Sequence, residues 1–318
     1  MVIDLNQHLL NLEKDHEDWQ ESLEEIYNFL KPLLHGQKGL IQKYKVRTKH
    51  DEHKKERIRL TTNQFLDLVN ITNLDEEIHQ YGKQIFKINR TFQNVLFHDY
   101  LRVIQYLVEI DSDQNLLTVL RVLNGEITSS AKTQSRFNSI IARIFSESAG
   151  QGNKSQAGDA AELIANTLLG SVGLIEGKHY RTQFKSRSGS DTDFAFPVVD
   201  DYKIQDVEVF MGVQISTNDR ARLIGSELKE GGERYLFSCN GMSFSSKRIK
   251  DIGDQIISSF KNSNVKLICY EPEIRSEINR INKRPLGKEQ RLDYLENFTV
   301  SFQSFAEKMQ ARYNYIFN

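Results

Sequence analysis

The stretch GSDTDFAFPVV (189–199), followed after DDYKIQ by VEVFMGVQIST (207–217), decides how this chain is read. Successive side chains of a strand point to opposite faces, so Asp191 and Asp193 share one face, away from Thr192 and Phe194. In the second segment Glu208, Phe210, Gly212, Gln214 and Ser216 share a face, opposite Val207, Val209, Met211, Val213 and Ile215. The two segments form an antiparallel hairpin, and its register depends on the turn. A tight turn at Asp200-Asp201 puts Asp193 beside Glu208. A looser turn through Gln205 puts the aspartates beside Gly212–Gln214, and we favour it because a helix starts just after Ser216. Pro197 cannot donate to a ladder and belongs near the hairpin end or on an edge.

Outward from the hairpin the chain alternates. GDAAELIANTLLGSVG (158–173) reads as a helix with Ala161, Ile164, Leu168 and Val172 on one face, and HYRTQFKS (179–186) as a strand. NDRARLIGSELKEGG (218–232) is a helix with Asn218 as N-cap and Gly231 as stop. RYLFSCNG is a buried strand, SSKRIKDIGDQIISSF (245–260) a helix, and VKLICYEP a last strand closed by Pro272. This order predicts an α/β fold whose mixed central sheet is flanked by helices. Residues 5–149 read as helix throughout, with no proline between Pro32 and Pro197. SAGQGNKSQAG (148–158) reads as a connector. The expected division is therefore 1–150, an all-α region for DNA binding or dimerisation, then 151–272, the α/β core, then 273–318, a helical extension.

Composition narrows the partners. The 318 residues hold 42 Lys and Arg against 43 Asp and Glu, a net charge of −1, so any nucleic-acid surface is a local patch. Cys239 and Cys269 suffice for neither a disulfide framework nor a thiolate metal cluster and read as buried thiols of a cytoplasmic protein. No window is apolar enough to span a membrane. Neither G-x-x-x-x-G-K-[ST] nor G-x-G-x-x-G occurs, so no nucleotide cofactor is expected. G-x-S-x-G is absent too, and His50 and His53 are too isolated for zinc.

Two acids on one face at a strand end are costly without a cation. Oxygen ligands meeting there suit Mg²⁺, which needs few protein ligands and keeps its waters. Asp191, Asp193 and Gln214 are the candidate ligands. Glu162, with Asp159 three residues earlier on the same helix, is placed to orient a bound water.

A helix with an internal Glu, a strand, a strand bearing Asp, then a strand carrying (D/E)-x-K before a helix resembles the PD-(D/E)xK nuclease superfamily, and in particular a type II restriction endonuclease. The matching pieces are G-D-A-A-E ending at Glu162, S-D-T-D-F around Asp193, and V-Q-I-S-T around Gln214 and Ser216, over about 115 residues. The resemblance implies a restriction-endonuclease-like core and a Mg²⁺-dependent, site-specific enzyme cutting double-stranded DNA as a homodimer. It implies that Asp193 is the main metal ligand, that Gln214 stands at the second acidic position and that Ser216 stands at the lysine position. Gln is a weaker ligand than a carboxylate, and Ser lacks the lysine's charge. Glu208 is the rival second acid. It lies about 20 Å from Gln214 along the strand, so the two cannot hold one metal. Ser216-Thr217-Asn218 reads equally as a helix cap. The alternative is a degenerate nuclease fold that binds nucleic acid without cutting. A third reading is a helical interaction protein.

Arg220 and Arg222, then Lys247 and Arg248, open helices, where cations oppose the dipole unless an anion such as phosphate sits there. With Lys185 and Arg187 they are the candidate DNA contacts. KYKVRTKHDEHKKERIRL (43–60) adds eight basic residues against three acidic ones, a second candidate phosphate track.

Overall fold

The computed structural model describes residues 5–14, 18–34, 48–70, 72–110, 130–185, 191–214, 232–242, 253–283 and 286–313, with scattered positions between 118 and 127. In order these form α1 (Leu5–Asn11), α2 (Asp18–Leu34), α3 (Thr48–Leu68), α4 (Leu74–Ile110), α5 (Ala131–Ser171), β1 (Arg181–Lys185), β2 (Asp191–Phe196), β3 (Val209–Gln214), β4 (Glu233–Ser238), α6 (Asp254–Asn262), β5 (Val265–Ile268), α7 (Glu271–Asn282), α8 (Glu289–Asn297), β6 (Thr299–Val300) and α9 (Phe302–Tyr313). No helix among them is long and apolar enough to cross a membrane.

The chain forms two compact units. Residues 1–56 with 90–155 make one, and residues 57–89 with 156–318 make the other. The first is helical. Leu9, Leu12, Ile26, Leu30, Phe137, Ile140 and Ile144 are buried in it. The Arg136 guanidinium donates to the Leu12 and Lys14 carbonyls, closing the carboxyl end of α1, and lies 4.0 Å from the Trp19 ring.

The second unit is α/β. Its six strands lie in the order β1-β2-β3-β4-β5-β6. The β1–β2 and β2–β3 pairs are antiparallel, and β3 to β6 run parallel. Alternation sorts the side chains. Phe194, Phe196, Val209, Met211, Tyr235 and Phe237 face one layer with Ile78, Tyr81 and Ile85 of α4, Ala161, Ile164 and Leu168 of α5, and Phe302, Phe305 and Met309 of α9. Ala195, Phe210, Leu236, Val265 and Leu267 face the other, with Ile257 and Phe260 of α6, Ile274 and Ile281 of α7, and Tyr294 and Leu295 of α8. The expected mixed sheet with helices on both faces is what the chain builds.

Three sequence expectations are corrected. The polar run 148–158 is no connector but lies inside α5. Buried Ile140 and Ile144 on one side and Ala161 and Ile164 on the other anchor both flanks, and carrying a formed helix through a glycine costs only about 1 kcal/mol. Residues 273–318 are not an appendage to the core: Thr299 and Val300 pair with Leu267 and Ile268, and α9 buries Phe302, Phe305 and Met309 against the sheet. A two-residue strand carries no periodicity to read. Residues 57–89 also join the α/β unit, through Phe65, Leu74, Ile78 and Ile85. The helix expected at 218–232 and the first part of that at 245–260 lie outside the described residues.

Candidate functional site

The register of the central hairpin is that of the looser turn. Phe194 stands opposite Met211, Ala195 opposite Phe210 and Phe196 opposite Val209. One step further, Asp193 faces Gly212, which has no side chain to occupy the space beside it. There the regular ladder stops. The Val213 N–H, which a continued ladder would give to a β2 carbonyl, donates instead to Asp193 Oδ2 at 2.6 Å. A backbone amide on a carboxylate is a charge-assisted bond, and it favours the ionised form.

Gln214 comes next in the chain, as the last residue of β3. It pairs with Ser238 of parallel β4, and its carbonyl accepts from the Cys239 N–H at 2.8 Å. The residue is only 7% exposed, and among the described residues Oε1 has no hydrogen-bond partner. A buried acceptor left unmatched costs about 1–3 kcal/mol. Ser238 beside it is fully buried.

Glu162 arrives from α5. Its Oε2 accepts from Gln183 Nε2 at 3.1 Å. Gln183 falls between Thr182, opposite Phe194, and Phe184, opposite Thr192, so it occupies the β1 position facing Asp193. Asp193, Gln214 and, through Gln183, Glu162 therefore belong to one end of the β1-β2-β3 sheet. Sequence reasoning did not find Gln183. Its backbone has φ 51, a conformation that no residue pattern announced.

Lys185 also lies at this end and is exposed. Its backbone is held on the sheet edge by the loop after β2: the Lys185 N–H donates to Asp201 Oδ1 at 3.1 Å, and the Lys185 carbonyl accepts from the Tyr202 N–H at 3.0 Å. Asp191 pairs with Lys185 through the backbone. Ser216, Arg187, Arg220, Arg222, Lys247 and Arg248 lie outside the described residues.

Glu208 is not brought to Asp193. It precedes β3, at the opposite end from Gln214, and its N–H donates to the Phe196 carbonyl at 2.7 Å. Glu208 Oε2 accepts from Arg312 Nε and from the Tyr313 hydroxyl, both at 3.0 Å. Glu233 joins the same cluster, accepting from Arg312, Lys308 and Tyr235. Burial pushes the Glu233 carboxyl up, but the hydrogen bonds from Lys308 and Tyr235 outweigh it and hold the group at about 2. This cluster fastens α9 to the amino ends of the parallel strands.

The carboxyl ends of β5 and β6 carry a different set. Asp75 accepts from the Glu271 N–H at 3.0 Å and from the Gln303 N–H at 2.9 Å, serving the starts of both α7 and α9. His79 stacks on Tyr270 at 3.9 Å, and burial followed by the charge of Lys83 lowers it to about 4, so it is neutral near pH 7. Gly82 lets α4 approach the turn after β4, because a Cβ there would stand 2.4 Å from Met242 Sδ. Among the described residues no three His, Cys, Asp or Glu side chains converge as a ready metal cluster. The set at the β2–β3 end is of another kind, the Gln214 amide and the Asp193 carboxylate carried by neighbouring strands.

Neither a protein-family model nor a curated protein matches the chain. Solved structures do. Metal-depleted Ecl18kI in complex with uncleaved, modified DNA superposes with a TM-score of 0.50 at 13% identity, over 86% of this chain and 85% of that one. The restriction endonuclease PspGI in its substrate DNA complex superposes with a TM-score of 0.51 at 12% identity, over 84% of this chain and 93% of that one. The fold is restriction-endonuclease-like.

Proposed function

We propose that this chain is a Mg²⁺-dependent, site-specific endonuclease that cuts double-stranded DNA, working as a homodimer in the manner of a type II restriction enzyme. The observation that carries the reading is the Gln214 Oε1 atom, buried and without a partner among the described residues, one residue beyond the amide that anchors the Asp193 carboxylate. The fold shared with Ecl18kI and PspGI supports it, as does the DNA in both of those structures.

The donors fit a hard cation. Carboxylate and amide oxygens suit Mg²⁺, which takes one or two protein carboxylates and keeps several waters. Asp193 and Gln214 would hold it, with Asp191 as a further ligand. Mg²⁺ bound there would supply a more acidic water and neutralise charge developing on the phosphodiester. The chain's own residues do the rest. The Val213 N–H fixes the orientation of Asp193. Gln214 offers Oε1 from a rigid strand end. Glu162 is the carboxylate placed to orient the attacking water, and Ser216 stands where the family's pattern has a lysine. Glu208, committed to Arg312 and Tyr313, serves the fold. Lys185 on the sheet edge, with Arg187, Arg220, Arg222, Lys247 and Arg248, is assigned to the DNA phosphates. Symmetric cleavage of two strands requires two such sites related by a two-fold axis, hence the homodimer.

Digestion of several unmethylated DNAs with Mg²⁺ tests this. Discrete bands, abolished by EDTA and by Asp193→Asn, are expected. Cleavage that survives Asp193→Asn refutes the site. A second reading, a module that binds DNA without cutting, is favoured by the neutral amide where a carboxylate would bring more charge. Salt-dependent binding indifferent to Mg²⁺, with no nicking at enzyme excess, would select it.

A further inference from the structure

Gln183 is the feature at this end of the sheet that the reaction described above does not use. Among the described residues three non-glycine residues have positive φ, namely Gln183, Tyr202 and Asn264, and of these Gln183 alone sits within a strand. A left-handed backbone costs a residue with a Cβ about 1–3 kcal/mol and persists only where the surroundings impose it. Its effect on β1 is visible in the packing. Phe184 stands opposite Thr192, and in a regular ladder it would share the face of Phe194 and Phe196. It packs in the other layer instead, 6.4 Å from the Phe210 ring. The alternation is inverted at Gln183, whose amide is directed to Glu162 on α5. A bulge serving only to blunt an edge strand would work with glycine or asparagine and needs no long amide. This one ends in a hydrogen bond to a carboxylate.

We propose that Gln183 is a positioning residue of the metal site: its left-handed backbone, at the β1 position facing Asp193, aims its amide at Glu162 and so sets that carboxylate as the third oxygen group of the site. The inference rests on the proposed metal-dependent activity and deepens it. Gln183 touches neither the metal nor the phosphodiester; it acts through Glu162. An N–H donated to a carboxylate fixes its rotamer. Losing it leaves the metal ligands in place but the Glu162 carboxylate beside them no longer held.

The test uses the full chain and Mn²⁺ as probe, with bound metal measured from the spectrum of the free ion by electron paramagnetic resonance. Gln183→Gly keeps the left-handed backbone without strain and removes only the amide, so it should fold with wild-type stability or better. It should bind Mn²⁺ about tenfold more weakly, in the range seen when a group behind a metal ligand is removed. Gln183→Asn, which also tolerates positive φ but is one carbon shorter, should behave like the glycine variant. Glu162→Gln should weaken Mn²⁺ binding, and the Gln183→Gly change added to it should weaken binding no further. Unchanged Mn²⁺ binding in Gln183→Gly, or additive losses in the double variant, overturns the inference. Failure of the wild-type chain to bind Mn²⁺ overturns the metal-dependent reading as well, and so separates the two.

Discussion

Gln214→Glu asks directly what the orphaned oxygen is for. The change is isosteric and sets a carboxyl where Oε1 now sits, 7% exposed and next in the chain to the amide held by Asp193. Burial and the neighbouring Asp193 charge both disfavour the ionised form, so the folded-state pKa rises above the unfolded value of about 4.3. A rise of one to two units is worth about 1.4–2.7 kcal/mol. For a unit of this size each 1 kcal/mol moves Tm by about 2–4 °C. A carboxyl raised in the folded state carries no penalty below its unfolded pKa and its full penalty above its folded one. The variant should therefore match the wild type near pH 4, apart from a constant offset for the lost amide donor. It should fall behind by roughly 3–10 °C as pH rises to about 7, from the same conversion. Mg²⁺ should reverse the loss, because the added charge then serves a cation, and should stabilise the variant more than the wild type. Scanning calorimetry from pH 4 to pH 8, with EDTA or with Mg²⁺, reads all of this. A Tm difference that does not change with pH, or Mg²⁺ that stabilises both proteins equally, would refute the reasoning that Oε1 faces a cation site.

Two further outcomes concern the frame around the site. Glu277 and Arg291 are each 4% exposed and pair at 2.9 Å between α7 and α8. Arg291→Leu leaves the buried carboxylate with Arg280, so a loss of about 3 kcal/mol is expected in urea unfolding, at the low end for breaking a buried pair; a loss below about 1 kcal/mol would show the pair to be dispensable. Glu233, held at about 2, contributes stability that is present above its ordinary value and lost as pH falls from there toward about 2. The Tm gap between wild type and Glu233→Gln should therefore close across that window, and a constant gap would contradict the assignment.

The α/β frame was legible because its signals are local. Alternation in 189–199 and 207–217 gave the hairpin, and the helix expected after Ser216 chose its register, which the Phe194–Met211 pairing matches. Three of the four parallel strands followed from apolar runs separated by caps and glycines. What escaped depends on tertiary context. The glycines of 148–158 look like a hinge until the buried residues on both sides of them are known. β6 is two residues long and exists because β5 offers an edge to pair with. At the site, Asp193 and Gln214 could be named from their shared face. That Glu208 serves α9, and that Gln183 connects Glu162 to the strand end, depends on partners 104 and 21 residues away in the chain.

The route of the chain between its two units has a consequence for synthesis and for truncation. It passes from one to the other after residues 56, 89 and 155, so neither unit is a continuous stretch. On a ribosome the α/β unit receives Asp75 early, while the two helix starts that it serves, at Glu271 and Gln303, emerge 196 and 228 residues later. Contacts of such long sequence separation make folding slow and leave apolar surface exposed meanwhile. A cut after residue 56 divides the first unit, one after 155 divides the α/β unit and one after 89 divides both, so an excised piece beginning near residue 156 would lack the α4 carboxylate that starts two of its helices.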